Sequence, residues 1–86
     1  MPEVSRFLGM VVTMYFEDHP PPHIHVRYGD QRIVIAIETL EVLAGSLPPR
    51  CTELVREWAA LHRDEICDNW TRLERGGKVA PIEPLS

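Results

Sequence analysis

No stretch of the chain approaches the ~18 consecutive apolar residues of a membrane span, so the sequence offers no transmembrane segment. The opening MPEVSRFLGMVV carries an acid at Glu3 and no A-x-A cleavage pattern, which argues against a secretory signal. Basic charge is also scarce: nine Lys and Arg stand against 13 Asp and Glu, a net charge of −4. That balance does not favour nucleic acid as a partner, because gripping a phosphate backbone takes clustered cations that release counterions. There are two cysteines, Cys51 and Cys67. Sixteen positions apart on one predicted helix, they would stand about 24 Å from each other. A disulfide needs Cα atoms only ~4.4–6.8 Å apart. Two reduced cysteines predict a cytoplasmic protein. The familiar catalytic signatures are missing too: there is no C-x-x-C, no H-E-x-x-H, no G-x-S-x-G and no phosphate-cradling glycine loop.

What is present predicts one domain over residues 1–86, with 44% hydrophobic and 26% charged residues, an ordinary globular balance. A chain this short buries a limited core, so a homodimer is among the expectations. Residues 1–45 read as strands. Phe7 to Phe16 is rich in β-branched and aromatic residues and predicts one strand. In His23 to Tyr28, Ile24, Val26 and Tyr28 share one face while His23, His25 and Arg27 share the other. Gly29-Asp30-Gln31 is a turn, Arg32 to Glu38 is a strand with Ile33, Ile35 and Ile37 on one side, and Leu40 to Gly45 is a short fourth.

Residues 46–75 predict one long helix. Pro48 and Pro49 suit its first turn, where a missing N–H costs nothing. The stripe Cys51, Val55, Trp58, His62, Ile66, Trp70 and Leu73 steps by three and four, with Leu54 and Leu61 beside it. Gly76-Gly77 stops it, and residues 76–86 form a proline-bearing tail laid extended across the body. The expected architecture is α+β: an antiparallel meander of three to four strands with one long C-terminal helix packed on one face. Trp58 and Trp70 are expected core anchors.

The chemistry concentrates in the loop at residues 17–25, where DHPPPHIHV places three of the four histidines within seven residues. His23 and His25 at i, i+2 on a strand project from the same side with Cα atoms about 6.6–7 Å apart. Two such imidazoles can reach one zinc-like ion, and the further ligands would come from Asp18, His19 or His62. His19 precedes Pro20, and a straight Pro20–Pro22 run would hold it roughly 12 Å from His23, so a full triad needs a bent loop. His62 lies on the apolar helix stripe; if Ile24 and Val26 face the helix, it cannot join His23 and His25. The same residues (His19, His23, His25 and Asp18) are also candidates for acid–base catalysis of a hydrolytic step such as RNA cleavage. A third reading has the segment as a proline-stiffened structural or partner-binding loop.

The segment PEVSRFLGMVVTMYFEDHPPPHIHVRYGD, followed by RIVIAIETLEVLAG, LPPR, LVREWAALHRDEICDNW and PIEPL, resembles the family known as domain of unknown function 4160. Its DH-x-PPH-x-H signature falls on Asp18, His19, Pro21, Pro22, His23 and His25, and the match extends through Trp58, His62 and Trp70. One departure is Pro20, where the family pattern expects a polar residue. The resemblance implies a short operon-encoded bacterial or archaeal protein that works beside another small protein, in the manner of toxin–antitoxin pairs. It leaves open whether the protein is an enzyme. The expected function is that of a small cytoplasmic toxin–antitoxin-type partner protein with the histidine loop as its working surface, binding a divalent transition metal such as zinc through His23, His25 and His19. The alternative is a small metal-dependent or histidine-based hydrolase or ribonuclease.

Overall fold

The computed structural model describes residues 3–15 and 19–85. Five strands form one antiparallel sheet in the order of the chain: β1 Glu3–Phe7, β2 Met10–Thr13, β3 His23–Tyr28, β4 Gln31–Ala36 and β5 Val42–Gly45. Two helices follow, α1 Pro49–Leu61 and α2 Arg63–Glu74. The α+β meander is as expected, but it has five strands rather than three or four. The extra strand is β1, which ends where the segment Phe7 to Phe16 begins and pairs with β2 through a turn at Leu8-Gly9. Leu8 (φ 51°) and Gly9 (φ 82°) both take the left-handed region, the requirement of a two-residue type I′ turn, and Phe7 pairs directly with Met10. Leu at positive φ is uncommon, so the pair LG carries little turn signal. Phe16, the end of that predicted strand, lies outside the described residues.

Tyr28 pairs with Gln31 and His23 with Ala36, so the β3–β4 turn is Gly29-Asp30 alone. Met10, Val12, Ile24, Val26, Ile33 and Ile35 all point to one side of the sheet and meet Val55, Trp58, Ala59, Ile66 and Leu73 from the helices. The alternation read from His23 to Tyr28 therefore holds: Ile24 and Val26 face the core, while His23, His25 and Arg27 take the opposite face.

The single helix expected over 46–75 is two. His62 has φ −114° and ψ 22°, off the helical values, and joins α1 to α2. A straight rod of 26 residues would be about 39 Å long, longer than the molecule's greatest extent of 34 Å. The break lets the apolar sides of both halves reach the same core. Leu61, at the break, is 69% exposed instead of lying along the buried stripe. The start and stop are as read: Pro49 occupies the first turn. At the far end Gly77 N–H donates to the Arg72 carbonyl and Gly76 N–H to that of Leu73, with Gly76 at φ 78°. This is a Schellman ending, which glycine takes without the Cβ penalty. Both cysteines are free thiols, Cys51 on α1 and Cys67 on α2. Burial, reinforced by the negative charges of Asp64 and Glu38, pushes the Cys67 thiol above its ordinary range.

The tail crosses the body as expected, held by groups that hydrophobic periodicity does not reveal. Asn69, fully buried, donates through Nδ2 to the Ala80 carbonyl and accepts from the Ala80 N–H through Oδ1. Ile82 N–H donates to the Val4 carbonyl at 2.8 Å, and Trp58 Nε1–H donates to the Glu83 carbonyl at 2.7 Å. Among the described residues, no helix is long and apolar enough to cross a membrane.

Candidate functional site

The side of the sheet turned away from the core carries the chemistry. Strand alternation fixes its cross-strand rows: Val11, Arg27 and Arg32 lie opposite one another on β2, β3 and β4, and Thr13, His25 and Val34 form the next row. His23, opposite Ala36, begins the strand beyond them. A cavity of about 290 Å³ opens over these rows, lined by Thr13, Tyr15, His25, Arg27, Arg32 and Val34 among others.

The two strand histidines are neighbours, as their spacing predicts. Their ring centroids lie 5.1 Å apart, and they belong to a run of aromatic rings. Tyr15 meets His25 edge-on at 4.7 Å, and Trp70 packs on His23 at 5.3 Å. His23 is only 8% exposed. Its Nδ1–H donates to the Pro21 carbonyl at 2.7 Å. This bond fixes the ring's orientation and, in the neutral ring, places the lone pair on Nε2. The proline loop thus aims a side chain on the adjoining strand.

Of the remaining sequence candidates, His19 and His62 are described. His19 is exposed, ahead of a cis Pro20–Pro21 peptide. Asp18 lies outside the described residues. His62 is held on the helices: its Nδ1–H donates to the Glu65 carboxylate at 2.7 Å and its ring packs on Trp58 at 5.6 Å. A core-facing Ile24 and Val26 require that separation. Among the described residues, no three His, Cys, Asp or Glu side chains come together as a metal-holding group.

The site residues that sequence patterning passed over are Arg27, Arg32, Thr13 and Tyr15. The two arginines had a signal. They sit symmetrically about the Gly29-Asp30 turn, so a two-residue loop places them face to face. Thr13 and Tyr15 had none, because both alternating sets of their segment are apolar enough to be core.

A family model described as a domain of unknown function, number 4160, matches residues 9–71, which include every strand residue of this face from Val11 to Val34. No curated protein and no solved structure matches the chain.

Proposed function

The chain belongs to the domain of unknown function 4160 family, whose description assigns no activity, and we propose that it is a small cytoplasmic partner protein of toxin–antitoxin type. Its working surface is the core-averted face of the sheet at His25, with His23 beside it against Trp70. A divalent transition metal such as zinc is the group this pair would hold. The observation that supports the metal is the 5.1 Å separation of the two imidazoles, one of them oriented by Pro21. Two imidazoles bound to one tetrahedral ion have ring centroids about 5 Å apart. Two ligands leave positions for another chain to fill, which suits a surface completed by a partner.

A hydrolase or ribonuclease is the second reading, favoured by one specific observation: His25 lines a concave hollow together with Arg27 and Arg32. A histidine beside fixed cations is a workable arrangement for proton transfer at a phosphodiester.

The test is calorimetric titration of the untagged protein with zinc, nickel and copper, alongside a His23→Ala/His25→Ala double variant. The expected result is stoichiometric binding in the parent chain, lost in the variant while its circular dichroism is unchanged. Absence of binding in the parent, or its survival in the variant, removes the metal from the proposal. Release of product from a dinucleotide RNA substrate by the parent chain, abolished in the same variant, would put the second reading first.

A further inference from the structure

Arg27 and Arg32 have an arrangement that folding alone does not account for. They are directly opposed on β3 and β4. The Arg32 carbonyl accepts from Ser46 N–H on the side of β5 at 2.9 Å, so it points away from β3. Arg27 and Arg32 are therefore a non-hydrogen-bonded pair, the kind in which facing side chains approach most closely, with Cα atoms about 4.5 Å apart. Like charges so placed destabilise a sheet. Among the described residues, neither guanidinium makes an ion pair or a side-chain hydrogen bond.

Five of the other six arginines have a partner for the side chain, and Arg75 has none among the described residues. Arg6 is held by Glu3 at 2.8 Å and Arg50 by Glu53 at 3.6 Å. Arg56 donates to the Leu40 carbonyl, Arg63 to that of Ile37 and Arg72 to the Asn69 side chain. Arg27 and Arg32 differ in facing each other across the ladder in a protein of net charge −4, and Arg27 also adds to the hydrogen bond from Arg6 in holding the Glu3 carboxyl below its ordinary range. Both line the 290 Å³ cavity, and no Asp or Glu among the described residues lines it. Small-molecule pockets begin at about 300 Å³. Guanidinium groups match phosphate oxygens two at a time, and an anion between two of them removes their repulsion.

We propose that Arg27 and Arg32 form a receptor for a phosphate dianion, free or at the end of a small phosphate monoester. Thr13 and His25 border the anion, and the Tyr15 ring faces the remainder of an ester. The site shares His25 with the metal reading and His25, Arg27 and Arg32 with the hydrolase reading, but it needs no metal and no second protein.

The experiment is titration with inorganic phosphate and with adenosine 5′-monophosphate in a chelator-containing buffer, followed by calorimetry and by amide chemical shifts. Running it metal-free makes its outcome independent of the metal reading. Both probes are expected to shift β2, β3 and β4 amides saturably and to compete with each other. Tighter binding of the nucleotide identifies an ester as the source, and equal binding identifies free phosphate. Arg27→Gln and Arg32→Gln should each weaken binding by about tenfold or more, the loss of a charge-assisted bidentate contact. Arg50→Gln, on α1, should leave it unchanged. Without ligand, the two site variants should unfold at the parent temperature or above it, because a repulsion has been removed; that result separates a binding role from a structural one. The absence of saturable binding by either probe would overturn the proposal, as would affinity undiminished in both site variants.

Discussion

Trp58 joins the three layers of the molecule through one side chain. Its ring is fully buried, 5.4 Å from Phe7 of β1 and 5.6 Å from His62, and its Nε1–H reaches the Glu83 carbonyl of the tail. Trp58→Ala should lower the unfolding free energy in urea by about 3–5 kcal/mol, through lost burial and an unfilled cavity. Trp58→Phe keeps most of the volume and removes the donor, so it should cost roughly 0.5–1.5 kcal/mol, the net worth of one hydrogen bond. Equal costs for the two variants would show that the bond to the tail contributes most of the effect. At this scale the sequence was informative about apolar residues and silent about polar ones. Periodicity marks Trp58, Ile66 and Leu73 as buried. It cannot mark Asn69, whose burial depends on two backbone groups eleven residues away in sequence.

Among the elements, those governed by local rules were legible and those governed by the rest of the fold were not. The β3–β4 hairpin, the Pro-led start of α1 and the Gly-Gly end of α2 follow from residues within a turn of each boundary. The break at His62 does not, because the apolar steps run through Trp58, His62 and Ile66 without interruption. It follows from the size of the body on which both helices pack, 34 Å at its longest. The Leu8-Gly9 turn was hidden for a different reason: only one of its two left-handed positions is a glycine. Of the candidate site, alternation alone gave the shared side of His23 and His25. The opposition of Arg27 and Arg32 depends on register, which the length of the Gly29-Asp30 loop sets. The β5 edge makes its own prediction. Gly45 has φ 76°, and a Cβ there would collide with the Arg32 carbonyl oxygen. Gly45→Ala combines that collision with a left-handed backbone and should destabilise by about 2 kcal/mol or more. Its β4–β5 amides should also exchange with deuterium faster than in the parent chain; unchanged protection there would contradict the close approach.

For the whole molecule, the segment after the helices is structural. Ala80, Ile82 and Glu83 are tied to α2, β1 and α1 in turn, and Ile82 is buried among core residues. A chain ending at Gly77 would leave the Asn69 amide and the Trp58 indole N–H without their partners and expose the side of β1. Such a chain should show no cooperative thermal transition by circular dichroism. A sharp transition near the parent temperature would mean that the tail only decorates a body that folds without it.

The contact between Ile82 and Val4 also bears on how the protein is made. A ribosome releases β1 first and the tail much later, and the buried indole of Trp58 has no acceptor until Glu83 has emerged. The sheet can begin to pair during synthesis, but the core cannot close while the polypeptide is still being extended through this region. Folding is completed after translation of the tail, and until then the apolar side of the sheet stays open.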